Sequence, residues 1–192
     1  MNLPNKLTIS RIALTFLFMG FLYTHGVMAK TLALCVFLLA SATDALDGYL
    51  AKKNNQITDF GRLMDPVADK VLVLAALLAF VERGVIPAWM VVVIIFREVT
   101  VTGLRILALT KGRVLQADRG GKSKTILQLS AIVVILLFLI FKEGGASRFG
   151  FWGPGVEVLY KNAIFAIMSI ALVLTLASGI TYLVKNRALI ST

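Results

Sequence analysis

Histidine and cysteine are nearly absent from this sequence of 192 residues, which contains one of each, His25 and Cys35. With a single cysteine, the chain can form neither an internal disulfide framework nor a cysteine metal centre. With a single histidine, it cannot build a zinc site from several imidazoles. Any metal ion must therefore be held by carboxylates.

Charged residues are also scarce, since Asp, Glu, Lys and Arg make up 16% of the chain. A soluble domain of ordinary composition has about 25%. Hydrophobic residues make up 58%, and the mean hydropathy is +0.87. No linker rich in Pro, Gly or Ser divides the sequence. The composition therefore predicts one membrane-embedded domain that covers residues 1–192.

Acidic residues are few compared with basic ones, because 10 Asp and Glu stand against 20 Lys and Arg, a net charge of +10. A basic chain can bind nucleic acid, but these basic residues are dispersed among short loops without a nucleic-acid-binding motif. The cytoplasmic loops of membrane proteins show the same excess of Lys and Arg. We therefore expect membrane lipids, and no nucleic acid, as partners.

Six apolar stretches reach or approach the ~20 residues that a helix needs to cross a bilayer. They are Leu7–Met28, Thr31–Leu50, Pro66–Val81, Pro87–Leu109, Thr125–Phe141 and Lys161–Val184. The third is short and begins with polar residues, so its helix is predicted to extend back into the preceding segment. The pattern predicts an all-α integral membrane protein with six transmembrane helices.

The first stretch can also be interpreted as a secretory signal peptide, with Lys6 and Arg11 ahead of the apolar run and a cleavage site near Ala29. We favour its retention, because the polar segment Asn2–Ser10 has the character of a functional segment. With the N-terminus inside, most loop Lys and Arg fall on the cytoplasmic side. The sequence therefore predicts that both termini lie in the cytoplasm.

Four of the ten acidic residues are concentrated in one region. Asp44 and Asp47 are three apart near the end of the second stretch, which puts both carboxylates on one helix face. Asp65 and Asp69 are four apart at the start of the third stretch, again on one face. Four neighbouring carboxylates repel one another unless a hard divalent cation neutralises them. Two antiparallel helices are therefore predicted to form a metal site at the membrane interface.

Each aspartate taken singly has an ordinary interpretation. Asp65 followed by Pro66 is typical of a helix start, with Asp as the N-cap. Asp44 or Asp47 alone can be an interfacial charge. The cluster as a whole favours function, because ionisable residues at the edges of membrane spans are costly.

Small residues accompany the aspartates. Gly48 follows Asp47 directly, Ala51 lies one turn later, and Gly61 precedes Asp65 by four residues. Glycine lets a ligand approach the backbone closely, so these positions favour a nucleotide site. Each is also an ordinary turn or packing position when considered alone.

The segment from Asp44 to Asp69 resembles the signature of the CDP-alcohol phosphotransferases, D-x2-D-G-x2-A-R-x8-G-x3-D-x3-D. All of its spacings match over 26 positions. One residue departs from the signature, since Lys52 stands where the family usually has Arg. Lysine keeps the positive charge for a pyrophosphate but lacks the bidentate fork of arginine.

The resemblance extends to Asn2–Arg11, Arg97–Arg105 and Gly121–Thr125, which are similar to segments of the bacterial phosphatidylglycerophosphate synthase family. It implies six spans, a homodimer and a cytoplasm-facing active site in the bacterial inner membrane. It also implies two metal ions, Mg²⁺ or Mn²⁺, bound by Asp44, Asp47, Asp65 and Asp69, with Asp69 as the general base. The residues expected to contact CDP-diacylglycerol are Asn5, Thr8, Gly48, Ala51, Lys52, Thr58 and Gly61.

Two arginines, Arg97 and Arg105, interrupt the apolar fourth stretch. They are eight residues apart, which is about 80° around a helix, so both can face one cavity. Together with Lys122 and Lys124 they are predicted to bind a second phosphate. The alternative pairs an arginine with Glu98 and leaves the lysines as flanking charge. A phosphorylated acceptor, sn-glycerol 3-phosphate, fits better than serine, choline or inositol.

The sequence thus predicts transfer of the phosphatidyl group of CDP-diacylglycerol to sn-glycerol 3-phosphate, with release of CMP. A second interpretation keeps the reaction but changes the acceptor to inositol phosphate, phosphatidylglycerol or serine. A third is a membrane cation transporter, which predicts acidic residues spread toward the bilayer midplane. Here the aspartates cluster at one face, which argues against that interpretation.

Overall fold

A computed structural model of the chain describes residues 3–54, 59–112, 119–144 and 153–187. Side chains are described within 9–43, 70–108, 110–112, 125–144 and 153–187. Over this part of the chain, the secondary structure consists of six α-helices. They are α1 (Leu3–Tyr23), α2 (Val27–Asn54), α3 (Asp59–Glu82), α4 (Ala88–Thr110), α5 (Arg119–Gly144) and α6 (Pro154–Lys185). The prediction of an all-helical protein is confirmed.

The turn between α1 and α2 corrects the first predicted span. That span was expected to run to Met28, but α1 ends at Tyr23 and α2 begins at Val27. Gly26 has a φ of +106°, a conformation that a continuing helix does not contain and that glycine adopts readily. The hydroxyl of Thr24 donates to the Gly20 carbonyl at 2.8 Å, which helps to close the last turn of α1.

The third helix extends back as predicted, since α3 begins at Asp59. The interpretation of Asp65 and Pro66 as a helix start is therefore wrong, because both lie inside the helix. Proline inside a helix provides no N–H for the ladder and is tolerated only at a cost. The sixth helix begins at Pro154, ahead of the predicted span at Lys161, with proline in its first turn, where a missing N–H costs little.

The helices pack so that α1 contacts α2 and α3, α2 contacts α5, α5 contacts α6, and α4 contacts α3 and α6. Large buried side chains of the main core are the phenylalanines Phe18, Phe37, Phe80 and Phe138, one each from α1, α2, α3 and α5. The rings of Phe18 and Phe37 lie 5.7 Å apart and are tilted, an arrangement that aromatic pairs prefer. In lipid such close packing, rather than the exclusion of water, holds helices together.

Two helical segments of the described residues are long and apolar enough to cross a membrane, Thr125–Gly144 and Pro154–Lys185. Shorter apolar helical segments are Ile9–Tyr23 and Val27–Thr43. Many large apolar side chains point outward, among them Phe16 on α1, which lipid would cover. The structure supports two spans, and six spans remain a prediction.

Lys30 anchors a polar cluster that ties together the helix ends beside the α1–α2 turn. Its side chain is fully buried, and its ammonium donates to the carbonyls of Leu22 at 2.7 Å and Thr24 at 2.5 Å. It also forms an ion pair with Glu143 of α5 at 3.3 Å, and Arg83 donates to the same Leu22 carbonyl. Carbonyls at the end of a helix have no partner within it, so these cations complete the end of α1.

We predict that Lys30→Met lowers the stability of the detergent-solubilised protein by about 2 kcal/mol, because buried carbonyls and a carboxylate lose their partner. The measurement is thermal unfolding. Lys161→Met is the matched control, since Lys161 is half exposed and pairs with Glu157 across one helix turn at 3.0 Å. Equal shifts of the two unfolding midpoints would contradict the anchoring role of Lys30.

Candidate active site

The four aspartates of the motif lie on two consecutive helices. Asp44 and Asp47 are in the C-terminal half of α2, and Asp65 and Asp69 are in the first half of α3. Both segments are helical, so the spacings of three and four residues put each pair on one face of its helix. Their side chains lie outside the described ones. Convergence of the four carboxylates on one site therefore remains a prediction.

The residue types of the motif fit a hard divalent cation, because carboxylate oxygens are the ligands that Mg²⁺ and Mn²⁺ prefer. Among the side chains that the structure does describe, no group of three or more His, Cys, Asp or Glu could hold a metal ion. The motif aspartates are thus the candidates with the right chemistry.

Residues expected to bind the nucleotide lie on the three helices α1, α2 and α3. The helical ones are Asn5 and Thr8 on α1, Gly48, Ala51 and Lys52 on α2, and Gly61 on α3, whereas Thr58 falls outside the described residues. α1 contacts both α2 and α3, and a short turn makes α1 and α2 antiparallel neighbours. The N-terminal end of α1 therefore lies beside the C-terminal end of α2, which carries the first aspartate pair.

The two arginines of α4 differ in their surroundings. Arg97 is 9% exposed, and its Nη1 donates to Glu98 at 3.1 Å while its Nη2 donates to the hydroxyl of Ser178 at 2.8 Å. For Arg97, the structure thus contains the pairing with Glu98 that the sequence offered as the alternative. Nε of each arginine lacks a hydrogen-bond partner among the described residues, but Arg105 is only partly buried. Arg105 is therefore the more accessible of the two cations.

A network of charged side chains joins α4 to α3. Glu98 accepts from Arg97 and also pairs with Lys70 at 3.4 Å, and Lys70 donates to the hydroxyl of Thr102. Lys70 follows Asp69 directly in the sequence. The network therefore connects the arginine helix to the part of α3 that carries the proposed general base, a link that the local sequence pattern does not reveal.

Helix α6 contributes a polar face that includes none of the predicted site residues. Thr175, Ser178, Gly179 and Tyr182 follow the helical spacing of i, i+3, i+4 and i+7, which places them on one face. Thr175 is 1% exposed and Tyr182 is 3% exposed, and neither hydroxyl has a hydrogen-bond partner within the described residues. Polar residues at this spacing inside an apolar span were a signal that could have identified this face.

The remaining predicted phosphate ligands, Lys122 and Lys124, lie near the start of α5. That helix begins at Arg119, before the predicted span at Thr125. α5 contacts α6 and α2, which belong to the two parts of the predicted site. The side chains of both lysines lie outside the described ones, so their role remains a prediction.

A cavity of about 260 Å³ is present elsewhere, lined by residues that include His25, Arg83, Lys142 and Lys161. It lies beside the α1–α2 turn, at the end of α2 opposite to Asp47. Glu157 accepts from both lysines, at 2.9 and 3.0 Å, so both ammonium groups already have a carboxylate partner. This cavity is therefore not the candidate active site.

Comparison with known proteins agrees with the resemblance carried by the aspartate motif. The family model described as CDP-alcohol phosphatidyltransferase matches residues 1–184, and the chain belongs to that family. Members of the family use divalent metal ions. The fold and the motif thus define an all-helical lipid-modifying enzyme family.

Several relatives are similar over nearly their whole length. A Bacillus subtilis (strain 168) protein named CDP-diacylglycerol–glycerol-3-phosphate 3-phosphatidyltransferase is 39% identical, over 96% of this chain and 95% of its own. Proteins with the same name from Rickettsia typhi and Rickettsia bellii are 36% and 34% identical, over 94% of this chain in each case and 94% and 93% of their own. Family membership together with the two apolar helical segments indicates a membrane protein.

Proposed function

We propose that this chain transfers the phosphatidyl group of CDP-diacylglycerol to sn-glycerol 3-phosphate, giving phosphatidylglycerophosphate and CMP. The observation that carries the proposal is the complete aspartate motif on two consecutive helices, in a chain whose near full-length relatives have this activity in their names. The single domain covers residues 1–192.

The reaction is a substitution at phosphorus. An oxygen of the acceptor's hydroxyl forms a bond to the phosphorus that carries diacylglycerol, the P–O bond to the CMP phosphate breaks, and CMP leaves with that bridging oxygen. We assign Asp69 as the general base that takes the hydroxyl proton, since a carboxylate within hydrogen-bond reach can do so. It directly precedes Lys70, which belongs to the charge network of α3 and α4.

Asp44, Asp47, Asp65 and Asp69 are the residues that would hold two divalent ions, Mg²⁺ or Mn²⁺. When bound, such ions neutralise a pyrophosphate and stabilise a leaving phosphate. Without a cation the four carboxylates would repel one another, so the motif also depends on the metal for its own stability.

The nucleotide part of the donor is assigned to the end of the bundle that the aspartates occupy. Gly48, Ala51 and Gly61 leave room for it to approach the helix backbones. Lys52 offers the pyrophosphate a single positive charge, whereas an arginine could also form two parallel hydrogen bonds to it. The polar residues assigned to the same substrate are Asn5, Thr8 and Thr58.

The phosphate of the acceptor is assigned to Arg105 and Arg97, with Lys122 and Lys124. Arg105 is the more available of the two arginines. Arg97 uses two of its five N–H donors on Glu98 and Ser178, so three remain for an anion. A guanidinium inside an apolar helix is costly and calls for a functional explanation, which a phosphorylated acceptor provides.

The donor is a membrane lipid and the acceptor is water-soluble, so the site must lie at a membrane interface. We propose that it faces the cytoplasm from the bacterial inner membrane, with six spans and both termini inside, because the basic residues favour that orientation. We also propose a homodimer, on the resemblance to the synthase family alone.

The function is tested with purified protein, radiolabelled CDP-diacylglycerol and a panel of acceptors in the presence of Mg²⁺ or Mn²⁺. The proposal expects CMP release with sn-glycerol 3-phosphate and much less with inositol phosphate, phosphatidylglycerol or serine. Preference for another acceptor would overturn the choice of glycerol 3-phosphate. Metal flux into liposomes without any CMP formation would favour a transporter instead.

Replacing the proposed base should stop the reaction without unfolding the protein. We predict that Asp69→Asn reduces the turnover rate by about 10²–10⁴-fold, because the amide cannot accept the hydroxyl proton. The matched control is Glu82→Gln, the same change at the other end of α3, which should leave turnover near the wild-type rate. Turnover by Asp69→Asn at a rate close to that of the control would remove Asp69 as the base.

Removing the side chain of Arg105 should weaken binding of the acceptor more than binding of the lipid donor. We predict that Arg105→Ala raises the KM for glycerol 3-phosphate by at least tenfold and changes the KM for CDP-diacylglycerol less than twofold, because a charge-assisted phosphate contact is lost. Steady-state kinetics on each substrate measure this. Arg187→Ala, at an exposed position after α6, is the control. Equal effects on both KM values would argue against a separate acceptor-phosphate site.

A further inference from the structure

One face of α6 carries Thr175, Ser178, Gly179 and Tyr182. This face packs against α4, the helix that carries the two arginines. Tyr182 packs with Val101, Leu104 and Ala108 of α4 in a small buried cluster. Ser178, one turn earlier, accepts a hydrogen bond from Arg97. Side chains from two helices that are distant in the sequence therefore surround one guanidinium.

Gly179 provides the space for the stem of Arg97. A methyl group placed at Gly179 would lie 2.8 Å from Cγ of Arg97 and 3.3 Å from its Nε. Cγ is close to the backbone of α4, so it cannot move away as the flexible end of a side chain can. Any side chain at position 179 would therefore force Arg97 out of its present rotamer.

Ser178 fixes the other end of the same side chain. Its hydroxyl donates to the carbonyl of Thr175 at 3.2 Å and accepts from Nη2 of Arg97 at 2.8 Å. Because the hydroxyl hydrogen is directed to the carbonyl, an oxygen lone pair faces the guanidinium. Glu98 accepts from Nη1 at 3.1 Å, so the plane of the guanidinium is held on two edges.

The orientation leaves donors of Arg97 unused. Nε is buried and has no hydrogen-bond partner among the described residues, and each Nη keeps one further hydrogen. A buried donor without a partner is costly, so a ligand that accepts from it gains affinity. A phosphate oxygen is such an acceptor.

We infer that Ser178 and Gly179 are positioning residues that hold Arg97 in the orientation in which it binds the phosphate of the acceptor. The inference rests on the proposed function. It adds α6 to α4 and α5 as a helix that contributes residues to the acceptor site. A purely structural explanation is close helix packing, for which small residues are suited in membranes. That explanation predicts lower stability without a selective effect on one substrate.

Gly179→Ala tests the inference against Gly155→Ala, the same substitution on the same helix at a position where an added methyl meets nothing within 4 Å. We expect Gly179→Ala to raise the KM for glycerol 3-phosphate by tenfold or more and to change the KM for CDP-diacylglycerol less than twofold. Gly155→Ala should change neither value. Equal changes in both KM values, or no change in either, would overturn the role of Gly179.

Ser178→Ala keeps the test decisive if Gly179→Ala does not fold, because it removes one hydroxyl and adds no atom. It should raise the KM for the acceptor by three- to tenfold with the unfolding midpoint near that of the wild type. Ser178→Thr, which retains a hydroxyl, should restore the wild-type KM. A lower unfolding midpoint with an unchanged acceptor KM would show that the contact is structural only.

The two proposals fail in different ways. If wild-type protein releases no CMP with glycerol 3-phosphate, the proposed function is wrong. If the wild type is active and the Ser178 and Gly179 variants have its acceptor KM, the function stands and only the positioning role is lost.

Discussion

A guanidinium buried among apolar helices requires a counter-charge and hydrogen-bond acceptors, and the arrangement of α3, α4 and α6 depends on that requirement at Arg97. Glu98 supplies the charge and Ser178 supplies a hydroxyl, at 3.1 and 2.8 Å. Glu98 in turn pairs with Lys70, the neighbour of Asp69. Removing one member of such a set leaves an uncompensated charge, which is why the members depend on one another. Three helices are thereby held together beside the proposed catalytic residues.

The two ends of the helix bundle have different roles: one stabilises the fold, and the other carries the proposed catalytic residues. At one end, Lys30 completes the carbonyls of α1 and pairs with Glu143. At the other end, α2 carries Asp47, about 26 Å away along a continuous helix at 1.5 Å per residue. This is close to the thickness of the hydrocarbon core, so a helix that crosses the membrane would place the two groups at opposite interfaces. A lipid donor and a soluble acceptor can meet only at such an interface.

Local sequence patterns were sufficient for the helices and for the family motif. The backward extension of α3 followed from polar residues ahead of a short apolar run, and the structure begins α3 at Asp59. The predicted first span ran past the break at Gly26 because apolar residues resume at Val27, although Thr24, His25 and Gly26 have the composition of a turn. The polar spacing on α6 was a local signal for this face, but the contact of Gly179 with Arg97 joins residues 82 positions apart, and no local pattern encodes that pairing. The pairing of Arg97 with Glu98 was foreseen only as an alternative.

The proposed reaction depends most on the convergence of carboxylates from α2 and α3 on shared cations. Mn²⁺ binding to the purified protein, followed by electron paramagnetic resonance, tests it directly when Asp47→Asn and Asp65→Asn are compared with the wild type. A site supplied by both helices requires that each substitution alone weakens Mn²⁺ binding at least tenfold. Wild-type Mn²⁺ affinity and stoichiometry in either variant would contradict a site shared between the helices.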